Sequence, residues 1–250
     1  MYKCYIFALL FAAMLRGKDH FGKTLYLDGQ CDFVQLFAPV IYDVPFTIEA
    51  WAYLYGPGGG VYAQNPIFEQ RSLETVMYAS AILLNAQNGE GFTAWTIRDY
   101  EHYLNRAKTP QLPHFEWHHY AGVVTRDDLT LYIDGQPVDS TINEQSGPFH
   151  LDYDHVAIGR HAYLEIVAGY FNGFIDDLRI WNYARSGQEI REGMTSPLTI
   201  EDERIRTGLV AYWDFDRYFE FWKNDVHWLG VEDMSGNGHH GALVGNAELV

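Results

Sequence analysis

Along most of this chain, short stretches of alternating hydrophobic and polar residues are separated by turn residues. Residues 46–54, FTIEAWAYL, alternate strictly, with Ile48 and Ala50 on one side and Glu49 and Trp51 on the other. Successive side chains of a β-strand point to opposite faces of its sheet, so this pattern predicts a strand with two different faces. Almost no stretch has the period of an amphipathic helix, and the chain is therefore predicted to consist mainly of strands.

Turn residues indicate where these strands are joined. Asp134-Gly135 lies within TLYIDGQPV, which follows HHYAGVV, and predicts a two-residue hairpin turn, because such turns match the twist of paired strands. Further strands are predicted at 24–36 around the turn Asp28-Gly29, at 76–84, 91–98, 155–160, 170–182 and 208–216, and at the end of 233–245. The segments 99–114 and 217–230 are predicted as loops.

One helix is predicted near residues 186–194, where Ser186 and Glu189 have the spacing of a capping box. Regularly spaced strands with a single helix predict one all-β domain, folded as a two-sheet antiparallel sandwich or jelly roll. The length of 250 residues, with 48% hydrophobic and 16% aromatic residues, is sufficient for one large core.

The charge of the chain limits its partners. Its formal net charge of −16, from 33 acidic and 17 basic residues, argues against nucleic acid and against an anionic membrane surface. The surplus of carboxylates is typical of proteins that bind hard cations, and equally of proteins with a soluble acidic surface.

An apolar N-terminal segment, residues 1–18, is set apart from the main domain, residues 19–250. Its apolar run after Lys3 is too short for a membrane span and has the length of the apolar part of a secretory signal. An ordered edge strand is the alternative. Cys4 and Cys31 are able to pair if this segment is retained. No other stretch predicts an integral membrane span.

Eight stretches carry a family resemblance: LYLDGQCDFVQL, FTIEAWAYL, EWHHYAGVV, LTLYIDGQPV, VAIGR, YFNGFIDDLRIWNYARSGQEI, GLVAYWDFD and DMSGNGHHGALVG. In this order they resemble the laminin G-like jelly-roll domains of the concanavalin A-like lectin/glucanase superfamily. The resemblance covers nearly the whole chain and implies two antiparallel sheets packed face to face. Two features depart from the family pattern: Cys31-Asp32, where two acidic residues are usual, and the aromatic insert at 217–230.

Asp176 and Asp177 lie side by side in an apolar strand, although a buried carboxylate is costly without a partner or a metal ion. The resemblance implies a structural calcium ion beside a sheet edge. We therefore predict that Asp28, Asp32 and these two aspartates hold calcium together with backbone carbonyls, because calcium takes roughly six to eight oxygen ligands. The alternative is that Asp177 points outward while Asp176 bonds to Arg179 or to backbone amides.

Zinc and catalysis are less well supported. His118 and His119 are adjacent in a predicted strand and point to opposite faces, so they do not share an ion, and His119 is predicted to pack in the core. His239 and His240 are predicted to be surface residues. Glu49 lacks the E-x-D-x-x-E spacing of the superfamily's glycoside hydrolases, is predicted to be a rim or paired carboxylate, and no enzyme is predicted.

Aromatic residues indicate a binding surface, because Trp and Tyr rings stack on the apolar faces of sugars. The predicted ligand-binding residues are Trp51, Tyr53, Trp95, Tyr100, Tyr218, Trp222 and Trp228. Trp181 and Trp213 are predicted to fill the core instead. Aromatic residues in a loop are hard to bury, so the insert predicts an exposed patch for a glycan, another protein or a second copy of the chain.

The sequence thus predicts a non-catalytic recognition or adhesion module, secreted or displayed at the cell surface. It is expected to bind a carbohydrate or an extracellular protein and to be stabilised by calcium. A structural subunit of a homomeric extracellular assembly is the alternative, and a polysaccharide-acting enzyme is a weaker one. The fold by itself does not decide among these, since unrelated functions occur on one scaffold.

Overall fold

The computed structural model of the chain describes residues 22–61, 63–71, 78–86, 92–98, 101–108, 110, 113–142, 155–163, 166–196, 198 and 207–250. The N-terminal segment with Cys4, and also Tyr100, lie outside these residues, and the predictions made for them stay predictions. Cys31 is exposed with a free thiol.

The described residues form short strands and one helix. The strands are β1 (Leu25–Asp28), β2 (Phe33–Leu36), β3 (Phe46–Leu54), β4 (Pro66–Arg71), β5 (Tyr78–Asn85), β6 (Phe92–Arg98), β7 (Glu101–Ala107), β8 (Trp117–Val124), β9 (Asp128–Ile133), β10 (Gln136–Ile142), β11 (His155–Ile158), β12 (Arg160–Tyr163), β13 (Ile166–Tyr170), β14 (Asn172–Trp181), β15 (Leu209–Trp213), β16 (Tyr218–Lys223), β17 (Val226–Val231), β18 (Gly241–Val244) and β19 (Glu248–Leu249), and the helix is α1 (Gly187–Gly193).

The strands build two large antiparallel sheets. Sheet A has the order β10-β9-β8-β3-β14-β1-β19, and β15 also pairs with β14. Sheet B has the order β16-β17-β18-β2-β11-β4-β5-β6-β7, while β12 and β13 form a small separate ribbon. The prediction of an all-β, two-sheet antiparallel sandwich with one short helix is confirmed.

The core lies between the two sheets and follows from the alternation of the strands. In β3, Ile48 and Ala50 are fully buried in the main hydrophobic cluster, together with Val34 of β2 and Ile158 of β11. Trp213 belongs to the same cluster. Trp181 is also fully buried but packs in a smaller cluster, with Leu198, Leu209 and Tyr212. The prediction that both tryptophans are core residues is confirmed.

The hairpin of β9 and β10 has the predicted turn. Asp134 and Gly135 both have positive φ, 50° and 71°, as a two-residue turn of this kind requires. A Cβ atom on Gly135 would lie 2.3 Å from Cγ of Arg191, which is on α1. Glycine therefore allows both the turn and the close packing of the helix against it.

Helix α1 begins at the predicted capping box. The amide of Glu189 donates to Oγ of Ser186 at 3.2 Å, and the amide of Ser186 donates to Oε2 of Glu189 at 2.7 Å. Two amides at the helix start are thereby satisfied. Within the described ranges no helix is long and apolar enough to cross a bilayer.

Two predicted loops are strands instead. The segment 99–114 contains β7, which pairs with β6, and the insert 217–230 contains most of β16 and β17, which pair with each other. Both β7 and β16 are the outermost strands of sheet B. Strand β7, EHYLNRA, contains several polar residues, as edge strands often do, and for this reason its sequence resembles a loop.

Candidate functional site

The aromatic insert is a β-hairpin at one edge of sheet B. In its ladder Phe221 lies opposite Trp228, and Trp222 lies opposite His227. Residues 224–225 form its two-residue turn, and both have positive φ. Because side chains alternate along a strand, each face of the hairpin presents aromatic rings.

The two faces differ in how far their rings reach solvent. Trp222 is 72% exposed and packs beside the ring of His227, with centroids 5.1 Å apart. Tyr218, at the base of the hairpin, makes a structural contact: its Oη accepts a hydrogen bond from the amide of Leu249 at 3.1 Å. On the opposite face Trp228 is half-buried. Of the three predicted ligand-binding residues on this hairpin, Trp222 has the ring most accessible to a ligand.

A cleft of about 220 Å³ opens beside the hairpin. Its walls come from the end of β2, the hairpin and the loop before β18, and the lining residues are Leu36, Phe37, Ala38, Phe221, Trp222, Lys223, Gly238, His239 and His240. The ring of Phe37 contacts those of Phe221 and Trp228, with centroids 6.1 and 5.4 Å apart. The ring of His240 packs on Phe219 at 4.5 Å. Packed rings therefore hold the hairpin in place against the neighbouring part of sheet B.

The polar wall of the cleft is fixed by Asp233. This buried carboxylate accepts hydrogen bonds from the amides of Tyr212, Ser235 and His239, at 3.0, 2.9 and 2.9 Å. The amide of Asp233 donates to Nδ1 of His240 at 3.1 Å, so the neutral ring carries its proton on Nε2. Burial lowers the pKa of His239, so its ring is neutral at neutral pH. Both histidines are half-buried in the cleft, whereas the sequence predicted them to be surface residues.

Trp51 and Tyr53, two other predicted ligand-binding residues, are buried, with 8% and 5% of their surface exposed. The prediction that they line an open binding surface is wrong. The rings of Tyr55 and Trp117 lie 5.6 Å from the ring of Tyr53. Trp51 is covered because the chain after β14 folds back over the outer face of sheet A; we call this segment, residues 182–196, the strap. Trp95 lies on β6, opposite Ala81 and Leu104 in the ladder.

Side chains of sheet A hold the strap by its backbone. Nε1 of Trp51 donates to the carbonyl of Met194 at 2.8 Å. The guanidinium of Arg179 donates to the carbonyls of Gly193 and Ser196, at 2.8 and 3.0 Å. The last turn of α1 and the residues after it are thereby fixed to the sheet.

Glu49 lies beneath the strap and is fully buried. Its Oε1 accepts hydrogen bonds from Nε1 of Trp181, at 2.9 Å, and from Nη1 of Arg185. Arg185 is 2% exposed, and its Nη2 donates to the carbonyl of Glu189. The prediction of a paired carboxylate is thus confirmed for Glu49, while a position at the rim is excluded.

His119 packs beside this network. Its ring lies 5.4 Å from that of Trp51 and is 2% exposed, which confirms the prediction of a core histidine. Burial lowers the pKa of His119 to about 4, although the nearby carboxylate of Glu49 acts in the opposite direction. The imidazole is therefore neutral at neutral pH.

The four aspartates predicted to hold calcium are separated into two pairs. Asp28 lies opposite Asn172 in the ladder of β1 and β14, and Asp176 lies four residues further along β14. Asp28 and Asp176 are therefore about 13 Å apart at the usual rise of a strand. Across the described parts of the chain, no group of three or more His, Cys, Asp and Glu residues is arranged to hold a metal ion. The four aspartates do not fit a single calcium shell, and that part of the prediction is wrong. Calcium binding as such stays a prediction.

Protein donors already satisfy these carboxylates. Asp32 accepts from the amides of Asn246 and Asp28, at 2.6 and 3.2 Å. Burial raises the pKa of Asp32, and the nearby carboxyl of Asp28 acts in the same direction. Asp28 itself accepts from the amide of Gln30 at 2.8 Å.

A β-bulge explains why two aspartates occur side by side in β14. The register with β3 shifts between Asp176 and Arg179, and Asp177 has a positive φ of 50°. Asp176 accepts from the amide of Asp177 at 2.8 Å, which matches the alternative stated for it. Asp177 accepts from Oη of Tyr212 at 2.8 Å and lies 3.6 Å from Nη2 of Arg179. Arg179 thus pairs with Asp177 and not with Asp176.

Sequence reasoning missed a second buried carboxylate, Glu69 of β4. Its Oε1 lies 2.5 Å from Nε of Arg71 and 2.8 Å from Nδ1 of His161. Burial raises the pKa of Glu69, but Arg71 and the histidines outweigh burial and lower it to about 2. Glu49 and Glu69 lie on different sheets, each paired with arginine, an arrangement unlike the facing acid and base of a glycosidase.

The cleft residues Phe37, Lys223, His239 and His240 were also missed. The signal available in the sequence was the alternation of β16, which places Phe219, Phe221 and Lys223 on one face. Phe37 and His240 come from distant parts of the chain, and no local pattern connects them with the hairpin.

Comparisons with known proteins are consistent with this architecture. The family model that matches, over residues 19–191, is described as the concanavalin A-like lectin/glucanases superfamily. No curated protein matches the chain. The hairpin of β16 and β17 lies outside the matched residues.

Three similar solved structures have the same fold. A candidate carbohydrate-binding protein from Bacteroides ovatus has 16% identity and a TM-score of 0.61, over 92% of this chain and 59% of that one. The heptameric SAP-like pentraxin from Limulus polyphemus has 14% identity and a TM-score of 0.54, over 86% and 97%. The CBM40 module of a Ruminococcus gnavus IT-sialidase, bound to α2,3-sialyllactose, has 12% identity and a TM-score of 0.51, over 68% and 96%. At these identities the likenesses show the fold.

Proposed function

The chain belongs to the concanavalin A-like lectin/glucanase superfamily, and from this membership we propose that it is a non-catalytic carbohydrate-binding module whose ligand lies in the cleft beside the hairpin of β16 and β17. The module acts outside the cell, secreted or displayed at its surface, where such glycans are accessible. The Bacteroides protein and the sialidase module support a carbohydrate ligand by analogy of fold.

The observation that carries the proposal is the exposed indole of Trp222 at a cleft with packed walls. A ring 72% exposed on an ordered strand loses apolar contact with water when a sugar ring stacks on it. The neighbouring imidazoles and backbone groups are donors and acceptors for sugar hydroxyls. The volume of about 220 Å³ lies below the roughly 300–1,000 Å³ of pockets for drug-sized ligands, so the cleft suits one or two sugar units of a longer glycan.

A structural subunit of a homomeric assembly is the second candidate, favoured by the same hairpin. Strand β16 is the outermost strand of sheet B, and Leu229 on its partner strand is 50% exposed. A free strand edge with exposed apolar side chains is able to pair with a second copy of the chain. This candidate predicts a dimer or larger species in sedimentation velocity, with dissociation on Trp222→Ala.

Affinity electrophoresis in gels that contain a panel of polysaccharides tests the first candidate. At least one polysaccharide is expected to retard the wild-type protein, and Trp222→Ala is expected to raise the dissociation constant at least tenfold, as for the central aromatic residues of other interfaces. Phe115→Ala is the matched control, because Phe115 is 57% exposed, lies far from the hairpin in sequence and stands just before β8 of the other sheet.

The outcomes separate the candidates. Retardation that survives Trp222→Ala places the ligand elsewhere and refutes the site. Absence of retardation across the panel, together with a Trp222-dependent dimer, replaces the binding module with the assembly subunit. Loss of binding in both variants indicates a general effect on the fold.

A further inference from the structure

The cleft differs in charge from the rest of the molecule. The chain has 33 acidic and 17 basic residues, yet the lining of the cleft contains Lys223 and two histidines and no carboxylate. An acidic protein with one binding surface free of acidic side chains is suited to a negatively charged ligand at that surface.

Lys223 is placed to meet such a ligand. It follows Phe221 by two residues on β16, so its side chain leaves the strand on the cleft face. The side chain is exposed, and no carboxylate of the described residues forms an ion pair with it. Its backbone carbonyl accepts a hydrogen bond from Nε1 of Trp228 at 3.4 Å, which connects this position to the packed rings.

Three acidic residues near the hairpin are engaged elsewhere, while Asp225 is exposed in the two-residue turn. Glu220 lies on the opposite face of β16 and is 3.3 Å from Nε2 of His227. Glu232 lies 3.9 Å from Nε of Arg217. Asp233, behind the cleft, is 3% exposed and accepts three backbone hydrogen bonds. None of the three competes with a ligand anion for Lys223.

We propose that the cleft selects acidic glycans. The ammonium group of Lys223 meets the carboxylate of a uronic acid unit on the cleft face, and a neighbouring unit of the same glycan passes over the edge strand and stacks on Trp222. This inference rests on the proposed function, because it names the class of glycan bound at the same site. The Nε2–H group of His240, left free by the bond at Nδ1, is a second donor in the cleft for such an oxygen.

Isothermal titration with oligogalacturonate, and with the same oligosaccharide after methyl esterification, tests the proposal at low ionic strength. The two ligands have the same rings and differ in charge. The free acid is expected to bind up to about fivefold more tightly, the upper end of the range for an exposed ion pair. Lys223→Gln is expected to abolish this preference without loss of binding to the ester, and Lys223→Arg to retain it. High salt is expected to reduce the preference.

The result distinguishes this inference from the proposed function. Equal affinity of the wild type for acid and ester, or a preference for the acid retained in Lys223→Gln, refutes the inference of an acidic ligand. In that case binding that depends on Trp222 still supports the proposed carbohydrate-binding module. If neither oligosaccharide binds, the acidic class is refuted, and the neutral polysaccharides of the panel then decide on the module. Loss of all binding in Lys223→Gln, with an unchanged unfolding midpoint, also contradicts the assigned role, since that role concerns charge and not the stacking.

Discussion

Replacing Glu49 by glutamine isolates a buried charge. In the wild type Oε1 of Glu49 accepts from both Trp181 and Arg185, and the side chains of Glu49 and Arg185 are 0% and 2% exposed. Glutamine keeps an acceptor for the indole but leaves the guanidinium without its counter-charge. Removing one partner of a buried pair costs about 3–5 kcal/mol. We expect a value near the lower end, about 3 kcal/mol, because Nη2 of Arg185 retains the carbonyl of Glu189.

Urea unfolding followed by tryptophan fluorescence measures this loss, and thermal unfolding provides a second readout. For a domain of this size about 3 kcal/mol corresponds to a decrease of about 6–12 °C in Tm. Glu220→Gln is the control: that carboxylate is exposed and pairs with His227 on the surface, so its change is expected within about 0.5 kcal/mol.

A double-mutant cycle completes the test. Because Arg185→Gln removes the charge that Glu49→Gln isolates, the double variant is expected to lose at least about 1 kcal/mol less than the sum of the single variants. A loss below about 1 kcal/mol in Glu49→Gln alone, or strict additivity in the cycle, refutes the reasoning.

The remaining predictions concern pH, the bulge and the helix. The folded-state pKa of His119 is lowered to about 4 from an unfolded value near 6.5, so the stability that the neutral ring contributes is present above about pH 6.5 and is lost as the pH falls towards 4. The pH profile of urea midpoints is therefore expected to be flatter in His119→Gln between about pH 6.5 and 4. A profile equal to that of the wild type contradicts this prediction. Asp177→Asn weakens the bonds to Tyr212 and Arg179 and is expected to lower the Tm equally with a chelator and with excess calcium, whereas a decrease confined to calcium indicates that Asp177 holds the ion. Ser186→Ala removes the capping box of α1 and is expected to cost about 1 kcal/mol in urea unfolding, while Ser186→Asp is expected to retain stability.

Much of the fold is readable from local sequence. The alternation at 46–54 predicts β3 with the bounds that the structure shows, and Asp134-Gly135 predicts its hairpin. In both places the residues that determine the structure are neighbours in the chain. Edge strands β7 and β16 escaped prediction, because strands exposed at an edge need not alternate between apolar and polar residues.

The candidate site was less accessible to prediction. The sequence of the aromatic insert indicates that Trp222 is exposed. The burial of Trp51 depends on the strap, which covers Trp51 and lies more than a hundred positions further along the chain. The separation of the calcium aspartates is set by the register of β1 and β14, which the sequence does not specify at the level of single residues. The bulge at Asp177 likewise arises from pairing across the sheet.

The contact between the strap and sheet A has an evolutionary consequence. Where the last turn of α1 and the residues after it meet the sheet, the acceptors are the main-chain carbonyls of Gly193, Met194 and Ser196, whereas the donors are the side chains of Trp51 and Arg179. Any residue type offers a carbonyl, so the side chains of Met194 and Ser196 are free to vary while the two donors are not. In a saturation library scored for folded protein, substitutions of the two donors are expected to be depleted, whereas substitutions of Met194 and Ser196 are expected to be tolerated.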